Sequence, residues 1–281
     1  MAERAMIAMS GGVDSSVAAH LMLRQGYECV GATMKLFANG DSIVCEKTCG
    51  APDDAADAAA VAARLGIPHH LFDLSDRFRS DVMQQFADAY QMGHTPNPCV
   101  ECNRCLKFGG MLEKMQELGL HYLVTGHYAQ VVWSEEFGCH VLKKAVDASK
   151  DQTYFLYTLT SEQLRHVRFP LGALEKSEVR RIAEENGFVT ARKKEVRTSA
   201  LSPTEIMQAL SSVFREEDLQ RAISPTQREI SSERTVASFT TPSGSARALA
   251  SPQDIRFMCA ILIRSRTVWC LAKMPIFSRI R

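Results

Sequence analysis

The sequence has almost no net charge. Its 33 lysines and arginines stand against 32 aspartates and glutamates, a balance of +1. No global basic field advertises a polyanionic partner, although a local patch is enough to hold RNA. Long apolar runs are also missing. The first apolar stretch, Met6-Ile7-Ala8-Met9, is far too short to cross a bilayer and leads straight into glycines. No secretory leader is read there, so a cytoplasmic location and no membrane partner are expected. Cysteine is not lacking: there are nine in 281 residues. Without a secretion signal they are expected to be reduced thiols, held for catalysis or metal. The length can bury a real core and suggests two domains.

Strands and helices alternate. Ala5 to Met9 reads as a short buried strand, and Ser15 to Gln25 has helical spacing that stops at Gly26. Cys29 to Leu36 is a second strand, and Asp53 to Leu65 an alanine-rich helix closed by Gly66 and Pro68. His70 to Leu74 and Tyr122 to Thr125 are further strands. This rhythm predicts an α/β fold, a parallel sheet covered by helices, with ligands at the carboxyl ends of the strands. The glycines after the first strand, Thr33-Met34 and Thr125-Gly126-His127 are expected at that edge.

The first loop, Ser10-Gly11-Gly12-Val13-Asp14-Ser15-Ser16, sits where a phosphate loop would, yet lacks the Gly-Lys-Ser/Thr ending. Glycines let backbone approach phosphate, and the N–H groups of the following helix point at the anion. Ser10, Ser15 and Ser16 add hydroxyls, and Asp14 needs a cation to meet phosphate, which suggests Mg²⁺. Alone, the string is also compatible with a glycine turn and a Ser/Asp cap. As a whole it resembles the PP-loop of the ATP pyrophosphatases. That resemblance implies cleavage of ATP between the α and β phosphates, with the loop holding the leaving pyrophosphate and needing no lysine.

A second constellation, TPNPCVECNRCLKFG (Thr95 to Gly109), spaces Cys99, Cys102 and Cys105 by three. Such thiolates can share Zn²⁺ or an iron–sulfur cluster, with Cys45 and Cys49 as further ligands. They can equally be small buried residues near a helix start. The neighbouring text narrows the choice. NPC, CN and KFG in this stretch, GHYA at Gly126 to Ala129, KDQTYFL at Lys150 to Leu156, LGIPHH at Leu65 to His70 and FPLG at Phe169 to Gly172 occur in order. Together they resemble the tRNA 2-thiouridylases (tRNA-uridine 2-sulfurtransferases) across residues 5–194.

The resemblance implies ATP-dependent thiolation of a tRNA wobble uridine at C2, with ATP and Mg²⁺ and no tightly bound metal. The carbonyl oxygen is adenylated, and a persulfide sulfur then displaces AMP. It places ATP at Ala8, Met9, Ser10, Gly11, Gly12, Val13, Asp14 and Ser15, with Met34 and Gly126. Asn97, Pro98 and Cys99 would meet the flipped base, which is cheap to extrude from an unpaired loop. Lys150, Asp151 and Gln152 would touch tRNA, although KDQ alone reads as a solvated turn. Cys102 would be the nucleophile, its pKa lowered by a helix start and basic neighbours such as Arg104. The sulfur would come from a cysteine desulfurase or a relay protein. A disulfide between Cys102 and a second, persulfide-bearing cysteine is implied as well.

That second cysteine is missing. In the family it follows the ARKK seen here at Ala191 to Lys194, in a motif like D-I-C-F. This chain continues Glu195-Val196-Arg197-Thr198-Ser199-Ala200, and no cysteine appears before Cys259. Encoded as GAA GTG CGG ACA TCT GCT, this stretch becomes E-S-A-D-I-C when one A is inserted after the first codon. Permitted codons continue to F-I-P-D-G-D-Y-A-G-F. Arg234 to Ala250 shifts likewise into H-R-G-I-V-H-Y-T-V-G-Q-R-K-G-L-G-I, similar to the family's barrel motif. A one-nucleotide deletion near the Glu195 codon, in the gene or in its sequencing, is inferred over the rival reading of a natural divergent tail, and Ala200 occupies the cysteine's place. The expected domains are 1–194, a thiouridylase ATP-pyrophosphatase domain, and 196–281, a frameshifted tail without the family's β-barrel, its polar and apolar order scrambled. Impaired activity is expected. A non-catalytic remnant that binds ATP or tRNA, and another PP-loop enzyme such as an amidotransferase partner or a metal–sulfur tRNA thiolase, are the alternatives.

Overall fold

The computed structural model describes residues 2–37, 52–91, 94, 96–193 and 268–269. Cys45, Cys49, Ala200 and all of the expected tail except its two residues 268–269 lie outside that set.

The first strand, β1 (Arg4–Ala8), shows why a sheet forms. Its residues alternate: Ala5 and Ile7 face one apolar cluster, while Met6 faces another. A strand buried on both faces belongs inside a parallel sheet. β2 (Glu28–Lys35), β3 (His69–Asp73), β4 (Tyr122–Val124) and the two-residue β7 (Val167–Arg168) complete five parallel strands in the order β3-β2-β1-β4-β7. In register, Met6 of β1 lies between Val30 of β2 and Leu123 of β4.

Helices cover both faces. α1 (Val13–Arg24) buries Val13, Val17 and Ala18, and α2 (Pro52–Leu65) buries Ala58, Val61 and Ala62 at helical spacing. α3 (Ser75–Phe78) and α4 (Gln85–Gln91) are joined by wider π-type turns. α5 (Pro98–Glu101) runs through similar turns, Cys102–Gly110, into α6 (Met111–Glu117), placing Leu106, Phe108, Met111 and Met115 on the second face. An antiparallel hairpin, β5 (Ala129–Ser134) and β6 (Cys139–Lys144), turns at Gly138 with φ 60°, and β8 (Val268–Trp269) pairs beside β6. α7 (Ser161–Arg165) precedes β7, and α8 (Lys176–Glu185) packs on α1.

The expected parallel sheet is present. Thr33 and Met34 lie within β2, not beyond it. The hairpin and the helices of 75–91 and 98–117 were not read from the sequence.

Strand order fixes the place of the site. The chain leaves β1 towards β2 and β3 on one side, then returns to β4 on the other. The crevice between the carboxyl ends of β1 and β4 is therefore the topological switch point.

Candidate active site at the switch point

Gly11 and Gly12 turn the chain from β1 into α1. Gly11 has φ 68°, and a Cβ there would stand 2.2 Å from the Asp54 carbonyl oxygen, so only glycine fits. Gly12 is the N-cap of α1, with no side-chain cap bond. The first N–H groups of a 12-residue helix are thus left to a ligand or water.

The serines divide in role. The Ser15 and Ser16 hydroxyls turn inward, donating to the Gly12 carbonyl at 3.1 and 2.9 Å. Ser15 Oγ also accepts from Ser10 N, and Ser16 Oγ meets Thr190 Oγ1 at 3.0 Å. They shape the loop, whereas Ser10 is exposed at its mouth. Ala8 and Met9 lead into the loop. The Met9 carbonyl accepts from Thr33 Oγ1 at 2.8 Å, which ties β2 to the loop one residue before Met34.

Across the crevice, Gly126 follows β4. A Cβ on it would lie 2.8 Å from the Asp14 carbonyl carbon and the Ser15 nitrogen. Two residues further, Tyr128 donates its hydroxyl to Asp14 Oδ1 at 2.9 Å. Between them His127 is wedged against Phe108 and Phe169, with Nδ1 2.6 Å from Thr125 Oγ1. Burial first, and the Lys107 charge second, drive its pKa well below the ordinary 6.5.

The loop that lacks a lysine receives one from elsewhere. Lys176, the first residue of α8, places Nζ 2.7 and 2.9 Å from the two Asp14 oxygens. Its backbone N–H is held by Asp147 Oδ2 at 3.1 Å. Sequence reasoning missed it, although a signal existed. Lys176, Val179 and Ala183 share the inward face of α8, so the lysine stands at an apolar position.

The Lys150–Gln152 stretch is partly structural. Asp151 accepts from Ala145 N and from Thr153 Oγ1, while Gln152 Oε1 accepts from Tyr128 N. A chain of bonds thus runs from this turn through Tyr128 to Asp14. Asn103, buried, donates to the Phe155 carbonyl at 3.1 Å and ties the cysteine helix to the same turn.

In that helix Asn97 is the N-cap, its Oδ1 accepting from Cys99 N at 3.0 Å, and Pro98 takes the first helical position. Cys99, Cys102 and Cys105 are half-buried, and no disulfide joins the described cysteines. Among the described residues no three His, Cys, Asp or Glu side chains converge as a metal-ligand set. The Arg104 guanidinium bonds to Glu101 at 2.5 and 2.8 Å. It acts on Cys105, whose pKa still rises because burial outweighs that attraction.

The sequence places the chain in one family. Residues 3–199 match the family described as tRNA methyl transferase HUP domain, and the chain belongs to it. Its relatives include tRNA-specific 2-thiouridylase MnmA 1 of Caldanaerobacter subterraneus, 47% identical over 68% of this chain and 53% of that one. The tRNA-specific 2-thiouridylase MnmA of Bradyrhizobium diazoefficiens is 45% identical over 72% of this chain and 51% of that one. The chain spans about half the length of these curated relatives. A solved 4-thiouridine synthetase–RNA complex with bound ATP aligns with a TM-score of 0.48 at 16% identity, over 75% of this chain and 51% of that one, too loose a match to bear on function. Among the described residues no helix is long and apolar enough to cross a membrane.

Proposed function

We propose that residues 1–194 form the ATP-using domain of a tRNA-uridine 2-sulfurtransferase. ATP would lie across the switch point, its phosphates on the Ser10–Ser15 loop, with Met34 and Gly126 as flanking walls. The observation that carries this is the cradle itself: an uncapped helix start, a glycine at φ 68° and a second glycine pressed on Asp14. The family's description mentions methyl transfer, and its curated relatives are named for thiolation. The phosphate cradle and the cysteine helix favour thiolation, which uses both an activating nucleotide and sulfur.

Asp14 fits Mg²⁺, being a hard oxygen donor whose carboxylate already accepts a cation. Bound with ATP, the ion would neutralise phosphate charge. The uridine C2 oxygen attacks the α-phosphorus and pyrophosphate leaves, which makes the oxygen part of a good leaving group. The terminal sulfur of a persulfide bonds to C2, and AMP departs with that oxygen. The Cys102 thiolate takes the inner sulfur, closing a disulfide that a dithiol later reopens. Asn97, Pro98 and Cys99 would frame the extruded wobble base, and Lys150 would meet tRNA. The persulfide would be supplied by a cysteine desulfurase or relay protein.

This chain lacks one participant. Ala200 stands where the restored frame puts the persulfide cysteine. We infer that the polypeptide as written binds nucleotide without moving sulfur, its tail 196–281 being out of frame. The test is single-turnover thiolation of a tRNA transcript by the one-base-restored protein. AMP and 2-thiouridine formed in equal amounts support the reading; AMP without 2-thiouridine refutes the sulfur step.

A further inference from the structure

A phosphate loop without its own lysine raises the question of what cation meets the phosphates. We propose that Lys176 is that cation: it rests on Asp14 while the loop is empty and turns to the β-phosphate of ATP, the future pyrophosphate, when nucleotide binds. The assignment deepens the ATP reading above and rests on it.

Three observations carry it. First, Lys176 comes from 162 residues away in the chain, yet both Asp14 oxygens lie within 2.9 Å of its ammonium. Its side chain is only 10% exposed. Burying an ammonium is costly, and an apolar residue would pack equally well at this position of α8, so packing does not explain it. Second, the pair lies at the phosphate edge. Asp14 is the second residue of α1, in the turn whose N–H groups have no side-chain cap, and Gly126 presses on its backbone. Third, Tyr128 is placed to hold both partners. Its hydroxyl donates to Asp14, and its ring centroid is 5.4 Å from the Lys176 ammonium. The ammonium keeps this aromatic partner when the carboxylate is drawn to a divalent cation.

The charges balance at each stage. With the loop empty, Asp14 and Lys176 neutralise one another. When Mg²⁺ and ATP arrive together, Asp14 has a new cation and Lys176 a new anion, so the buried ammonium is never left alone. A lysine suits this exchange, because its ammonium is a point charge on a flexible stem with rotatable donors.

The test compares affinities for Mg-ATP, pyrophosphate and AMP in the full 281-residue chain, unaltered and as Lys176→Met and Lys176→Gln. The expected result is a loss of about tenfold or more for ATP and pyrophosphate, the size of one charge-assisted hydrogen bond, with AMP changed by less than about threefold. The glutamine variant still bonds to Asp14 and reads the same ratio where the methionine variant fails to fold. Equal weakening of all three ligands, or ATP and pyrophosphate binding kept in both variants, overturns the assignment alone. An unaltered chain that binds none of the three overturns the ATP reading, and this assignment with it.

Discussion

Gly126 sits against the backbone of Asp14 so closely that a Cβ would come within 2.8 Å of the Asp14 carbonyl carbon. The contact packs the loops after β1 and β4 against each other across the switch point, leaving no room for a side chain between them. Gly126→Ala must push one wall away. Its expected cost is about 1–3 kcal/mol of stability, with weaker ATP binding. Gly11→Ala should cost at least as much, since it adds a left-handed backbone to a 2.2 Å clash. Urea melts and ATP titrations check both; unchanged values for either would refute the close packing.

The serines should separate stability from binding. Ser10 is exposed at the mouth, so Ser10→Ala should weaken ATP by about 0.5–1.5 kcal/mol and leave the melting temperature unchanged. Ser16 is buried and bonded to Gly12 and Thr190, so Ser16→Ala should lower the melting temperature. Asp14→Ala should abolish Mg²⁺-dependent ATP binding. The opposite ordering of Ser10 and Ser16 would mean that the inward hydroxyls, not the outward one, meet phosphate.

His127 sets a pH limit. Its folded pKa is depressed, so the unfolded chain binds the proton more readily in acid. The stability it contributes is present above the ordinary 6.5 and is lost as pH falls below it. Stability should decline there with a slope approaching about 1.4 kcal/mol per pH unit from this residue. His127→Gln should flatten that limb in urea melts at pH 5 to 7, and an unchanged slope would contradict its neutral state.

Cys29 sets the alkaline limit. Burial raises its thiol from 9.0 to about 11. Below the unfolded value it is neutral in both states, so stability is lost as pH rises from about 9 to about 11. It should also be the slowest of the described cysteines to alkylate at pH 8, since it is buried while Cys99, Cys102, Cys105 and Cys139 are half-exposed. Peptide mass spectrometry reads the order, and labelling of Cys29 as fast as Cys102 would refute it.

Much of the sheet was legible because β1 and β2 carry apolar residues on both faces, and α2 spaces Ala58, Val61 and Ala62 helically. The hairpin was not. Ala129 to Ser134 and Cys139 to Lys144 mix polar and apolar residues too freely for a clear period of two, and Val131 packs inward while Trp133 is 53% exposed. The glycines of the site could be read because close backbone approach admits no other residue. Lys176 could not, because its partner Asp14 is local only in space. The inward turn of Ser15 and Ser16 was hidden for the same reason: a hydroxyl serves phosphate or carbonyl equally well until the helix start is built.

On the proposed function, this chain keeps a thiouridylase's ATP-using domain and lacks its persulfide cysteine. Mass spectrometry of wobble uridine checks this in cells lacking their own thiolase and supplied with one of four versions. The unaltered chain and Ala200→Cys alone should yield no 2-thiouridine, the latter because the following sequence that would hold that cysteine is still out of frame. The one-base-restored protein should yield it, and Cys102→Ser in the restored protein should lose it while still binding ATP. 2-Thiouridine from the unaltered chain, or none from the restored one, would contradict the account.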